Sequence, residues 1–395
     1  MNKIFTIKDF NYKDKRVLVR VDFNVPIDKK GNITDDKRIR AALPTINYLL
    51  KSNAMVILMS HLGRPEGETV ENLKMDKIAK RLEKLLKKKV YKLDDCIGQD
   101  AEDFVDKMVD REIVLLENLR FYSEEEANDP DFANSLADLA DIYINDAFGT
   151  CHRAHASVEG ITKYIPSAAG FLLQKEIEIM GNALKSPKKP FIAVMGGAKV
   201  SDKINVITNL LKKVDKLLIG GAMMFTFLKA KGIETGKSLV ENNKLSLAKK
   251  LLKNKKIILP VDTVIADKID KKAKSKTVKI NNIPKDMIGV DIGPETIKNY
   301  KDLIKKAKTI IWNGSLGVNE ISKFAKGTNE TAKALAKSKA VTIIGGGDTA
   351  AAVDKLKLEK KMTHVSTGGG ASLEFLEGNK LPAIAALEKN YKRFK

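Results

Sequence analysis

The chain is poor in the residues that would put it in several large classes. Two cysteines, Cys96 and Cys151, in 395 residues cannot build a disulfide scaffold, and both read as free thiols of a reducing compartment. Four histidines added to those cysteines show no zinc-ligand spacing. No apolar run approaches the roughly 18 residues of a membrane span, and the opening MNKIFTIKDF has no signal-peptide core. RNP-like aromatic runs, zinc-finger spacings and an extended basic arm are missing too, which removes the common nucleic-acid modules. Arginine is scarce: ten residues against 61 lysines. These absences predict a soluble, cytoplasmic globular protein.

Positive charge is abundant. Seventy-one Lys and Arg against 50 Asp and Glu leave a formal surplus of +21, which suits a polyanionic partner or a lysine-rich solvated surface. The lysines are spread through helix-like stretches such as residues 74–90, where Ile78, Leu82, Leu85 and Leu86 form one apolar stripe. That pattern is a solvated helix packed on a core. A functional cation site therefore has to be sought among particular residues.

With 43% hydrophobic residues the chain is not disordered, and its length allows two or three domains with ample cores. Ten β-rich apolar runs, at 16–24, 54–61, 112–118, 141–148, 190–197, 216–221, 256–262, 309–315, 340–348 and 363–370, alternate with helix-like segments. Such alternation predicts an α/β fold with buried parallel sheets. Four runs precede residue 150 and six lie from residue 190 onward, and the stretch 170–190 between them reads as a helix. The expected architecture is two doubly wound, Rossmann-like domains joined by a helix and a hinge. Domain one takes residues 1–170, with about 376–395 packing back on it, and domain two takes 171–375. Polar residues 266–284 read as a local excursion, a short hairpin. Each run ends in Gly, Asp, Asn, Ser or His, and in open α/β sheets ligands bind at those carboxyl ends.

Familiar phosphate motifs fail on inspection. The stretch Gly232–Ser238 has three residues where a Walker A loop needs four, and neither GxGxxG nor HExxH occurs. What remains are glycine clusters after apolar runs: Gly196-Gly197, Gly345-Gly346-Gly347 and Gly368-Gly369-Gly370. Glycine lets backbone N–H groups approach an anion, and a helix N-terminus adds positive potential. Lys199 and Lys203 follow the first cluster four residues apart, a spacing that on a starting helix sets two ammonium groups on one face. In so lysine-biased a chain, Arg38, Arg64, Arg120 and Arg153 stand out near the ends of first-half runs, joined by His61. Their planar forks suit a small anion with several oxygens. The first half thus reads as an anion site and the second as a nucleotide site.

Nine segments in order, VRVDFNVP (19–26), DDKRIRAALPTI (35–46), SHLGRP (60–65), LLENLRF (115–121), NDAFGTCHRAHAS (145–157), GGAKVSDKI (196–204), WNGSLGV (312–318), GGGDTAAAV (345–353) and STGGGASLEFLEGNKLP (366–382), resemble the phosphoglycerate kinase family over essentially the whole chain. The resemblance implies phosphoryl transfer between ATP and the carboxylate of 3-phosphoglycerate, with Mg²⁺ accompanying ATP or ADP, in a monomeric enzyme whose domains close on each other. It implies that Asp22 and Asn24 hold the glycerate end, while His61, Arg64, Arg120 and Arg153 grip its phosphate. Arg38 would stabilise the transferring group, acting with Lys203. On the nucleotide side it implies Gly197, Lys199, Lys203 and Asn313, an adenine pocket at Gly220, Gly221 and Gly289, and Glu320 on the ribose. Gly346, Gly347, Asp348 and Thr349 match the phosphate loop, with Asp348 on the metal.

Three positions depart from the family pattern. Ser315 stands where proline is usual, Asn319 where an aromatic precedes the ribose glutamate, and Cys151 where alanine is customary. Two alternatives remain beside the resemblance: a kinase forming another acyl phosphate, and a basic nucleic-acid-binding protein. His152 and His155 flank Arg153 and could order it, while His364 and Trp312 read as packing residues.

Overall fold

Successive residues of a strand point to opposite faces of its sheet, so a strand apolar at every position needs cover on both. That is the condition of the first-half runs. In the computed structural model, which describes residues 3–28 and 30–395, seven strands form one parallel sheet. They are β1 (Phe5–Thr6), β2 (Arg16–Arg20), β3 (Met55–Met59), β4 (Tyr91–Lys92), β5 (Ile113–Leu115), β6 (Ile142–Asn145) and β7 (Ser167–Ala169), in the order β1-β7-β6-β2-β3-β5-β4. Val17, Val19, Val56, Leu58, Ile113, Leu115, Ile142 and Ile144 face one core. Leu18, Ile57, Met59, Val114 and Tyr143 face the other. Helix Asp76–Leu86 lays Ile78 and Leu82 into the first core, as its apolar stripe requires. β1, β4 and β7 have only two or three residues each, too short for a periodic signal, and no sequence run marked them.

The six second-half runs become the six strands of a second parallel sheet: β8 (Phe191–Met195), β9 (Lys216–Ile219), β10 (Ile257–Ile258), β14 (Thr309–Asn313), β15 (Val341–Gly345) and β16 (His364–Val365). Their order is β10-β9-β8-β14-β15-β16. The polar excursion is larger than a hairpin. β11 (Asp262–Ala266) pairs antiparallel with both β12 (Ser275–Lys279) and β13 (Ile288–Ile292), making a three-stranded sheet. Along β12 only Val278 is half-buried and the other four residues are exposed, as befits an edge strand of a small sheet.

The chain divides into two compact units, Met1–Glu178 with Lys380–Lys395, and Ile179–Asn379. The division falls inside helix Phe171–Lys185. In the first unit the C-terminal segment is tied by Asn390, whose side chain accepts from Ser167 N at 2.9 Å and donates to Thr162 O at 2.7 Å. All ten arginines lie in that unit, and the second has none. No described helix is long and apolar enough to cross a membrane.

The start of helix Phe171–Lys185 is held by buried Asp146, whose Oδ1 accepts from Leu172 N at 2.8 Å and Leu173 N at 3.3 Å. Thr45 Oγ1 accepts from Phe171 N at 3.1 Å. Burial pushes the Asp146 carboxyl up to about 7 against those donors. Asp146→Ala removes the cap and lowers the melting temperature by about 2–6 °C. An unchanged melting curve would show that the helix start is held by other groups.

Candidate functional site

Each parallel sheet has one place where neighbouring strands send their connections in opposite directions, and there a crevice opens at the strand ends. In the first sheet it lies beside β2: the chain goes on to β3 on one side, and β6 borders it on the other. In the second it lies between β8 and β14.

Asp22 follows β2 and is nearly buried. Arg38, in the first turn of helix Lys37–Lys51, donates from Nη1 to both its oxygens, at 2.9 and 2.8 Å. Asn24 accepts through Oδ1 from Gly63 N at 3.0 Å, which joins this loop to the one after β3. His61 stands in that second loop with its Nδ1 3.2 Å from Arg20 Nη2. Because a guanidinium only donates, Nδ1 is the acceptor and Nε2 carries the proton of the neutral ring. Burial, then the charges of Arg20, Arg120, Arg38 and Arg153, holds His61 well below the ordinary histidine value. His61 therefore serves as a neutral donor among arginines.

Arg120 donates from Nη1 to Gly63 O at 3.0 Å and pairs through Nη2 with Glu126 at 3.0 Å. Arg153 donates from Nε to His152 Nε2 at 3.3 Å, so His152 does order it. Arg64 is exposed, and no described hydrogen bond or ion pair ties it to the cluster. Asp22, Asn24, Arg38, His61, Arg120 and Arg153 are thus gathered, while Arg64 stands at the margin.

Sequence reasoning missed the supports. Arg20 is fully buried, donating to Ser157 Oγ at 2.8 Å and Val21 O at 2.7 Å, with Glu125 3.8 Å away. Glu125 accepts from Ser157 N at 2.8 Å and from Ser157 Oγ at 2.6 Å. Arg20 lies inside VRVDFNVP, so the argument from scarce arginine could have found it. Asn118 binds two loops at once. It accepts from Leu62 N at 3.1 Å and Arg120 N at 3.2 Å, and donates to Leu62 O at 2.8 Å and Leu73 O at 3.0 Å.

In the second crevice the loops after β8 and β14 touch backbone to backbone. Gly196 N donates to Asn313 O at 2.9 Å and Gly197 N to Ser315 O at 2.8 Å. A Cβ on Gly196 would meet Ser315 O at 2.1 Å, and one on Gly314 (φ +95°) would meet Gly196 O at 2.3 Å. Only glycine permits that crossing. Gly221 N donates to Leu316 O at 3.0 Å, which adds the loop after β9. Lys203 Nζ donates to Asn313 Oδ1, while buried Asn313 Nδ2 has no hydrogen-bond partner. Thr349 Oγ1 accepts from Gly314 N at 2.7 Å and so ties the Gly346–Thr349 helix start to the same crevice. Burial lowers the Lys203 ammonium against the charges of Asp202, Asp348 and Glu377. Asp348 and Gly347 are exposed there.

The expected pairing of Lys199 and Lys203 on one helix face does not occur. The helix starts at Ile204, so both lysines precede it. Glu241 is the cause: its Oε2 accepts from Val200 N at 2.5 Å and Ser201 N at 3.0 Å, and its Oε1 accepts from Ser201 Oγ at 2.6 Å. That carboxylate holds residues 200–203 in a turn and leaves Lys199 exposed. Nothing in its polar surroundings marks Glu241 from sequence. Gly289 lies on β13 under the ring of Phe225, a residue of helix Met223–Ala230. Glu320 is exposed, and no described contact holds it. The unusual Cys151 is buried, its Sγ donating to Ala147 O at 3.5 Å, a bond that alanine could not make. Trp312 is fully buried and donates from Nε1 to Gly314 O at 2.9 Å.

A family model described as phosphoglycerate kinase matches residues 7–379. A phosphoglycerate kinase from Dictyoglomus turgidum is 58% identical over 391 residues, 98% of each chain. One from Moorella thermoacetica is 54% identical over 387 residues, 97% of this chain and 98% of its own. The solved phosphoglycerate kinase of Coxiella burnetii superposes with a TM-score of 0.90 at 42% identity, covering 99% of this chain and all of that one. Fold, crevices and relatives together define a kinase. More particularly, the chain belongs to the phosphoglycerate kinase family.

Asn118→Ala strips four hydrogen bonds from backbone groups of the first crevice, three of them buried and the one to Leu73 O part-buried. The expected cost is about 2–4 kcal/mol in a denaturant titration, together with weaker calorimetric binding of inorganic sulfate. A loss below about 0.5 kcal/mol would show that water replaces the amide.

Proposed function

We propose that the chain moves a phosphoryl group reversibly between ATP and the carboxylate of 3-phosphoglycerate, the glycolytic reaction of its family, forming 1,3-bisphosphoglycerate and ADP in one direction. Family membership across both units supports the activity. One observation carries the residue assignments: each sheet's switch point holds one of the two matched sets, arginines and His61 in the first, Lys203 with Asn313 in the second. Nothing in the fold or the relatives favours another acyl-phosphate kinase or a nucleic-acid-binding role.

The acceptor is a carboxylate, ionised at neutral pH. It needs no general base, and the neutral, buried His61 would be a poor one. Catalysis then reduces to alignment and to charge neutralisation around three equatorial oxygens. In the first unit His61, Arg120 and Arg153, with Arg64 at the margin, hold the phosphate, and Asp22 and Asn24 hold the glycerate end. Arg38 swings from Asp22 toward the transferring group. In the second unit Lys203, the free amide nitrogen of Asn313 and the backbone N–H groups of Gly197 and Gly346–Thr349 take the nucleotide phosphates. Lys199, freely exposed, reaches the same phosphates. Gly220, Gly221 and Gly289 shape the adenine pocket, with Glu320 on the ribose.

One exposed carboxylate, Asp348, fits a magnesium ion that keeps phosphate oxygens and waters as its other ligands. Among the described residues no three acidic, histidine or cysteine side chains gather into a metal cage. When bound, Mg²⁺ would neutralise charge on the nucleotide phosphates. By the family resemblance the enzyme works as a cytoplasmic monomer.

A coupled assay with 3-phosphoglycerate and Mg-ATP should show turnover that acetate and carbamate do not support, and repetition with Mg-GTP sets the nucleotide preference. Lack of turnover with 3-phosphoglycerate would overturn the proposal. Arg38→Ala is expected to lower kcat by at least about two orders of magnitude with ATP binding near normal; a kcat within about threefold of wild type removes Arg38 from that role. Because the two substrates are assigned to different units, transfer requires those units to close and exclude water. Small-angle scattering with both substrates should give a smaller radius of gyration than with neither, and an unchanged value would count against closure.

A further inference from the structure

Glu126 has no part in the roles assigned so far. It lies in the short helix Ser123–Ala127, and one of its oxygens, Oε1, is 3.0 Å from Arg120 Nη2 and 3.8 Å from Arg153 Nη1. A single carboxylate oxygen is therefore shared by two of the guanidinium groups assigned to the substrate phosphate. A phosphate oxygen bridging Arg120 and Arg153 would need the same position. We propose that Glu126 is an internal counter-anion of the basic cluster, displaced when a phosphate binds, and that it sets the affinity threshold an anionic ligand has to exceed. The inference rests on the placement of 3-phosphoglycerate at this cluster.

Each arginine has a second anchor, so Glu126 is not what orders them. Arg120 Nη1 donates to Gly63 O at 3.0 Å, and the backbone N of Arg120 donates to Asn118 Oδ1 at 3.2 Å. Arg153 Nε donates to His152 Nε2 at 3.3 Å. The Glu126 side chain is 46% exposed and Arg120 only 5%, so the carboxylate can swing into solvent while the guanidinium stays. Without a ligand, Glu126 offsets charge where Arg20, Arg38, Arg120 and Arg153 all act on His61. With a phosphate between the arginines, the same carboxylate becomes a like-charged neighbour. A ligand anchored at a second point, by its carboxylate and hydroxyl, bears that penalty more easily than inorganic phosphate.

The direction of the effect separates this role from a structural one. Loss of a positioning residue weakens binding, whereas loss of a competing anion tightens it. Calorimetry with 3-phosphoglycerate and, separately, inorganic phosphate should show Glu126→Gln binding both about three- to tenfold more tightly than wild type at low salt. The gain should shrink as ionic strength rises. Glu126→Ala should behave alike, and Mg-ATP affinity is the internal control. Unchanged or weaker 3-phosphoglycerate binding in both variants would overturn the proposal. Arg120→Ala and Arg153→Ala distinguish the two ways of failing. If they abolish binding and Glu126→Gln does not tighten it, only the counter-anion idea falls. If they leave binding intact, the placement of the substrate falls with it.

Discussion

Two neighbouring parallel strands whose connections leave in opposite directions form the constraint on which both crevices depend. No connection crosses the strand ends at such a point, so loops from both sides face open space. Beside β2 that space receives Asp22 with Arg38, and His61 from the loop after β3. Between β8 and β14 the loops come so close that Gly196 and Gly314 have no room for a side chain. The crossing brings Asn313, the last residue of β14, against Lys203. Register and topology thus deliver the chemistry, and the side chains need only short reaches.

Charge is divided between the units as sharply as the topology. All ten arginines belong to the first and none to the second. A small anion held by side chains alone needs forks of fixed geometry, while nucleotide phosphates can be met by point charges, backbone N–H groups and a metal. Gathering guanidinium groups is itself repulsive, and the first unit contains the compensation. Asp22 answers Arg38, Glu126 answers Arg120 and Arg153, and Glu125 lies 3.8 Å from buried Arg20. Keeping His61 neutral avoids one further positive charge.

Much of the fold was legible because burial on both faces of a parallel sheet writes long apolar runs. Each of the ten runs contains a strand of the two parallel sheets, though β10 and β16, in the runs at 256–262 and 363–370, have only two residues each. What could not be read was too short or too local: β1, β4 and β7 carry no period, and β13 hid in a segment whose neighbours are polar. Arg38, Arg64, Arg120 and Arg153 were legible through rarity, as arginines among lysines, whereas Asp22, Asn24, Asn313 and Glu320 came only through the family resemblance. Supports such as Asn118 and Glu241 were not, because a single amide or carboxylate is informative only once the backbone groups around it are known.

The turn before Ile204 shows what such a hidden support changes. Spacing alone put Lys199 and Lys203 on a helix face, where N-terminal N–H groups would add to their charge. Instead the N–H groups of Val200 and Ser201 are occupied by Glu241, so that helix approach already carries an internal anion. The groups of this unit still open to an anion lie elsewhere. They are the Asn313 amide nitrogen, buried without a hydrogen-bond partner, and the helix start at Gly347, where a side chain would meet nothing within 4 Å. Lys203 is the one candidate lysine that stands with them, tied to the Asn313 side chain. Burial lowers its ammonium against the charges of Asp202, Asp348 and Glu377, and a neighbouring anion would favour the charged form.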